Sequence, residues 1–187
     1  MGPLISADAL AGRLGDDALV VIDCRHDLAR PHAGESAWAE SHIPGALFMH
    51  LDRDLSSVKT GSNGRHPLPS PAAFTALLGR CGITPRHSVV AYDDAGGMFA
   101  ARLWWMLRWV GHADAAVLDG GLAAWRAAGG ALDQSVRSRP VTRYPEGMVD
   151  ATVDADALLA NLDSGALLVV DARAPDRFRG ENETLDP

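Results

Sequence analysis

The run Ser88-Val89-Val90-Ala91-Tyr92, then Asp93-Asp94-Ala95-Gly96-Gly97, then Met98-Phe99-Ala100-Ala101-Arg102-Leu103-Trp104-Trp105-Met106-Leu107-Arg108-Trp109-Val110 decides the fold class. Val89 to Tyr92 is a short apolar run of β-formers and predicts a buried strand. Met98 to Val110 lacks Pro and Gly, is rich in helix formers and predicts a helix. Between them, Asp93 to Gly97 predicts a turn whose glycines allow positive φ and close backbone approach. Strand, glycine turn and helix in that order are the unit of an α/β protein, where ligands collect outside the carboxyl ends of the strands. This loop is therefore where chemistry is expected, yet it holds two carboxylates and no Cys or Ser.

The flanking chain repeats that logic. Ser6 is a good N-cap for a helix from Ala7 to about Leu14. Ala18 to Ile22 is a continuous apolar strand of the kind a parallel sheet buries on both faces. Residues 26 to 45 predict a long polar loop with His26, His32, Trp38 and His42, and a short apolar run reaches Met49. Residues 51 to 70 predict an irregular, functional or disordered loop. Ser70-Pro71 starts a helix that runs to about Cys81 and stops at Gly82. A strand over Ala115 to Leu118, the turn Asp119-Gly120-Gly121 and a helix over Leu122 to Ala128 follow. Residues from about 131 to Asp150 read as a linker.

The chain has 187 residues, 47% of them hydrophobic, and a net charge of −7. That charge argues against nucleic acid as a partner, and no apolar run approaches the roughly 20 residues of a membrane span. Two cysteines argue against a disulfide scaffold and for a reducing, cytoplasmic setting. Cys24 and His26 form a close pair without a second pair to complete a metal set, so neither a metal nor another cofactor is expected.

An internal repeat adds the domain plan. Ala7-Asp8-Ala9-Leu10 recurs as Ala155-Asp156-Ala157-Leu158, an offset of 148 that holds without a gap to Arg25 and Arg173. Ten of the 19 positions from 7 to 25 are identical at that offset. A second copy of the same fold therefore begins near Ala151, as a helix, one strand and a loop.

With these motifs in place the chain resembles the tandem-domain rhodaneses, the thiosulfate and 3-mercaptopyruvate sulfurtransferases. The resemblance rests on residues 21–25 (Val-Ile-Asp-Cys-Arg), 42–46 (His-Ile-Pro-Gly-Ala), 64–69 (Gly-Arg-His-Pro-Leu-Pro), Tyr92 to Trp105, 118–125 (Leu-Asp-Gly-Gly-Leu-Ala-Ala-Trp) and 170–180 (Val-Asp-Ala-Arg-Ala-Pro-Asp-Arg-Phe-Arg-Gly). It implies a mostly parallel central sheet with helices on both faces, followed by an incomplete second copy. Residues 1–135 would be a non-catalytic rhodanese-like domain, 136–150 a linker, and 151–187 the truncated beginning of a second domain.

The same resemblance implies sulfur transfer through a cysteine persulfide, from a small anionic donor to a thiophilic acceptor such as cyanide. The nucleophile is expected beyond Pro187, in a missing C-terminal domain, so no catalytic residue lies in this chain and the chain alone is expected to be inactive. Arg177 is the expected binder of the donor's anionic end, with Arg179 as second choice. His66, Asp54 and Asp93 are expected to line the cleft. His66 has packing of the long loop as its other reading. Asp52 and Asp54 either orient it or cap turns, and Asp93 either serves domain contacts or, as preferred, caps the helix that follows. Cys24 and Cys81 are read as structural, since Ala172 stands where Cys24 would repeat. The alternative is a non-catalytic rhodanese-like module that binds or regulates a partner.

Overall fold

The computed structural model describes residues 1–182, and the chain divides into two compact units after Asp150. The first unit is built on five strands: β1 (Leu4–Ile5), β2 (Leu19–Asp23), β3 (Leu47–Phe48), β4 (Ser88–Tyr92) and β5 (Ala115–Leu118). They lie in the order β1-β5-β4-β2-β3, and every pairing is parallel. The sheet is wholly parallel, and its three inner strands are buried at every residue, as continuous apolar runs demand when both faces are covered.

Successive side chains of a strand point to opposite faces, and the two faces carry separate cores. Val20, Ile22, Val89 and Ala91 meet Phe74 and Leu78 of α3 (Pro71–Arg80) and Leu103 and Met106 of α4 (Met98–Trp109). Val21, Val90, Tyr92 and Leu118 meet Leu10 of α1 (Ala7–Ala11) and Leu122 and Trp125 of α5 (Gly121–Ala127).

Two local expectations need correction, and two short strands carry no sequence signal. The polar loop over 26–45 contains α2 (Ala33–Glu40), which has no side-chain cap bond and buries only Gly34, so it carries neither the start signal nor the apolar stripe that mark a helix. β1 and β3 are two-residue edge strands, too short to show a period. In the second unit, α6 (Ala155–Ser164) and α7 (Pro175–Phe178) form, but the strand expected after α6 does not: residues 165–172 carry no strand pairing among the described residues. Leu168 is 92% exposed and Val170 78%. A strand exists only through its neighbour's hydrogen bonds, and the described residues of this unit supply no neighbour. The last five residues of the 151–187 range lie outside the described residues.

Residues 136–150, read from composition as a linker, have no regular secondary structure but run as a strap against the first unit. Arg139 donates to the Asp17 and Leu19 carbonyls, and the Thr142 N–H reaches Gly79 O at 2.9 Å. Val149 N–H reaches Trp109 O at 2.7 Å. Gly79 sits inside α3 because a Cβ there would stand 2.4 Å from Thr142 O.

Tyr144 is the strap's buried anchor. Its hydroxyl lies 2.8 Å from His112 Nδ1, whose Nε2 lies 2.9 Å from His87 O. The carbonyl requires a proton on Nε2, so neutral His112 accepts at Nδ1 from the tyrosine. Burial pushes the His112 pKa down and the Tyr144 pKa up to about 12. Tyr144→Phe is expected to cost about 1–2 kcal/mol, because it strands a buried acceptor. The folded state binds fewer protons at His112 than the unfolded chain does, so this part of the stability is complete above the unfolded value near pH 6.5 and is lost as pH falls through the lower folded value. Thermal melts of both proteins at pH 7.5 and 5 check the pair. A wild-type melting temperature that holds steady on acidification would show that the buried neutral histidine contributes nothing.

Candidate functional site

The sheet's carboxyl end carries two constellations. The first is the central loop. Gly97 precedes α4 at φ 90° and offers no side chain to cap it. The cap comes from four residues earlier. Asp93 Oδ1 accepts the N–H groups of Ala95 and Gly97 at 2.9 and 2.8 Å, and Oδ2 those of Phe99 and Ala100 at 2.8 and 2.9 Å. Asp93 O also accepts Leu122 N–H at 2.9 Å, and Gly121 is needed there because a Cβ would lie 2.4 Å from that oxygen. Asp93 is completely enclosed, so its carboxylate fills the N–H cradle at the head of α4 and faces no cleft.

The second lies on the loops after β2 and β3. Asp52 stands 3.3 Å from His66 Nε2, 3.3 Å from Lys59 Nζ and 3.8 Å from His26 Nε2. Burial works to raise the Asp52 carboxyl, but Lys59, His66 and His26 outweigh it and hold it below its usual value. Burial lowers the pKa of His66, with Asp52 opposing and Lys59, Arg102 and His26 adding. His26 is lowered by burial and by its neighbour His50; its Nδ1 is enclosed without a hydrogen-bond partner. Asp52 Oδ1 is likewise enclosed without an aligned hydrogen bond, so these are charge contacts, and an ionised carboxylate beside mainly neutral imidazoles is a pair able to polarise a ring and move a proton.

Asp54, the other carboxylate expected beside His66, instead closes its own turn. It accepts His50 N–H at 2.7 Å and pairs with Arg53. The structure thus brings His66 to Asp52 and leaves Asp54 to local capping. His26 and Lys59 are the members that sequence reading missed. Histidines and an acid crowded into two irregular loops were the available signal.

His26, His50 and Asp52 also bring ligand-capable atoms within 4.8 Å of one another. His50, however, uses both ring nitrogens: Nε2 is 2.9 Å from Pro31 O and Nδ1 accepts Asp52 N–H at 3.1 Å. Its coordination of a cation would break at least one of these bonds.

In the second unit, Arg177 lies on α7, half-buried, and its N–H donates to the Asp176 carboxylate. Arg179 is exposed and forks onto Glu181 at 2.8 and 2.7 Å. Cys24 is buried and Cys81 half-buried, and both are free thiols. Burial, then Asp23 and Asp93, push the Cys24 thiol well up; burial also raises Cys81. Neither is poised as a thiolate.

The rhodanese-like domain family matches residues 6–128, and the chain belongs to that family. It is 47% identical over 188 residues, 98% of this chain and 66% of the relative, to a protein of Pseudomonas aeruginosa named "Probable 3-mercaptopyruvate sulfurtransferase". It is 33% identical over 201 residues, 95% of this chain and 58% of the relative, to thiosulfate/3-mercaptopyruvate sulfurtransferase 2 of Arabidopsis thaliana. The solved 3-mercaptopyruvate sulfurtransferase of Leishmania major superposes with a TM-score of 0.81 at 31% identity, over 94% of this chain and 48% of that one. The chain thus spans just under two thirds of the Pseudomonas relative and less of the other two. No helix among the described residues is long and apolar enough to cross a membrane.

Proposed function

We propose that this chain is part of a sulfurtransferase that takes sulfur from thiosulfate or 3-mercaptopyruvate and passes it to a thiophilic acceptor such as cyanide. The observation that carries the reading is the cradle at the head of α4, filled by the Asp93 carboxylate. Several N–H groups and a helix N-terminus are what a thiolate needs to form at neutral pH. Here an immovable carboxylate takes that place, and neither cysteine of the 187 residues is activated. Catalysis then needs a cysteine in the corresponding loop of a second copy, which these residues do not supply.

The chemistry follows. The thiolate attacks the outer sulfur of thiosulfate, the S–S bond breaks and sulfite leaves with the electron pair. The persulfide's terminal sulfur then passes to the acceptor, which restores the thiolate. With 3-mercaptopyruvate the C–S bond breaks instead, and the departing carbon takes up a proton. Arg177, with Arg179 behind it, would hold the donor's anionic end through a bidentate fork. His66, beside Asp52, would handle that proton. Homologues named for the same donors support this reading.

The purified 187-residue chain is expected to form no thiocyanate from either donor with cyanide. Fused to the remaining third of the Pseudomonas relative, it is expected to turn over at least one donor. A folded fusion that turns over neither would remove the sulfurtransferase reading in favour of a binding module. Turnover by the chain alone, abolished in Cys24→Ala, would instead make Cys24 the nucleophile.

A further inference from the structure

Arg102 is a cation whose bonds go to oxygens that carry no charge. It rises from the second turn of α4 and is half-buried, and burial alone pushes its pKa down. Its Nε and Nη2 donate to Leu55 O at 3.2 and 2.8 Å, and Nη2 also reaches Ser56 Oγ at 3.5 Å and His66 O at 2.9 Å. No carboxylate pairs with it among the described residues. A half-buried guanidinium without a counter-charge is a costly way to tie down a loop, so what it grips is informative.

It grips both ends of one loop. Leu55 and Ser56 open the segment, and His66 closes it. Asp52 precedes this loop by three residues, while Lys59 and His66, two of the groups at its carboxylate, belong to it. One other bond closes the neck, Ser57 N–H to Pro67 O at 2.9 Å. The far end of the chain of contacts is rigid, because α4 is clamped at its start by Asp93.

We propose that Arg102 is the positioning residue of the His66–Asp52 pair: its fork, anchored in α4, holds the His66 backbone so that the ring stands beside the Asp52 carboxylate. The inference builds on the reading of His66 as the group that handles the donor's proton. A planar fork with several donors can serve three acceptors in different directions, whereas an ammonium has no such fixed geometry. Because Arg102 touches no acid, it leaves the Asp52 charge to the His66 ring and to Lys59. The charged and titratable groups that act most on His66 are Asp52, Lys59, Arg102 itself and His26, with Arg65 next to it in the chain.

The test is a double-mutant cycle read by NMR titration of the His66 ring in the 187-residue chain, for wild type, Asp52→Asn, Arg102→Met and the double variant. Asp52→Asn is expected to lower the His66 midpoint by about half to one pH unit. With Arg102→Met in place, the same substitution is expected to move it by less than half as much. Arg102→Lys keeps the charge but loses the fork, and is expected to behave like Arg102→Met; it also decides the matter should Arg102→Met fail to fold. An Asp52→Asn effect of equal size with and without Arg102 overturns the proposal. So does full coupling in Arg102→Lys, which would make charge and not geometry the cause. The NMR readout is independent of turnover, so failure of the sulfurtransferase reading, seen in the fusion assay, is distinguishable from failure of this one.

Discussion

Asp93→Ala is expected to lower the stability of the first unit by about 3–5 kcal/mol, the range for losing several charge-assisted hydrogen bonds in an enclosed site. Four backbone N–H groups end on this one carboxylate, and the bonds are not additive. Two of the donors, Phe99 and Ala100, belong to the first turn of α4, where the helix has no partner of its own for them. The macrodipole adds a preference for a negative charge there. Alanine removes every acceptor at once and leaves enclosed donors unpaired, while Gly97 has no side chain to substitute. Asp93→Asn should recover less than half of the loss, because its amide nitrogen must face N–H groups wherever the oxygen does not. Urea unfolding of the three proteins measures this. A loss below about 1 kcal/mol for alanine would show that α4 starts without the carboxylate.

Asp23→Ala is expected to be comparably damaging, for a different reason. Asp23 and Arg25 are both buried, with Arg25 Nη2 2.7 Å from Asp23 Oδ2, and Tyr92 donates its hydroxyl to the same oxygen at 2.7 Å. Burial raises the Asp23 carboxyl although Arg25 and Tyr92 pull it down, and burial raises the Tyr92 hydroxyl further. Removing the acid leaves a guanidinium in the interior with, among the described residues, Ser41 O at 2.7 Å as its remaining hydrogen-bond acceptor. Breaking one side of a buried ion pair costs about 3–5 kcal/mol.

The repeat supplies an internal control. Arg173 makes the same set of bonds to Asp171: backbone N–H at 2.8 Å, Nε at 3.0 Å to each oxygen and Nη2 at 2.7 Å. Asp171 is exposed, and Arg173 holds its carboxyl down at about 2. One local motif therefore carries opposite shifts, because burial outweighs the arginine at one copy and is nearly absent at the other. Asp171→Ala is expected to leave the urea midpoint of the first unit unchanged. Equal losses at the two positions would mean that the local clamp, and not burial, sets the cost.

The part of the site legible in the sequence is the part made by neighbours in the chain. Asp93 caps a helix that starts five residues later, and the apolar run before it and the helix formers after it mark both ends. The Asp52–His66 pair was harder to read. Fourteen positions separate the two, across a segment with no helix or strand, and no periodicity links them. Asp54 lies closer still in sequence, but its carboxylate turns back onto His50 N–H and Arg53. Choosing between the two acids required the path of the loop, which Arg102 sets from a helix 36 residues further along.

By itself the sequence determined the α/β class, the inner strands β2, β4 and β5, the capped helix α3, the long helix α4 and the repeat, because each is written in local periodicity, caps and glycine turns. The equivalence of the copies even extends to their caps: Ser6 accepts Ala9 N–H and Asp154 accepts Ala157 N–H at the same offset. Only the tertiary structure decided what those patterns became. Leu19 to Asp23 pairs with β3 and β4 and is buried throughout. The near-identical Leu167 to Asp171 pairs with nothing among the described residues and stays exposed. A helix carries its hydrogen bonds within its own segment, whereas a strand receives them from another. The helical half of the repeat therefore survives in both copies, and the strand appears only where a sheet is present to receive it.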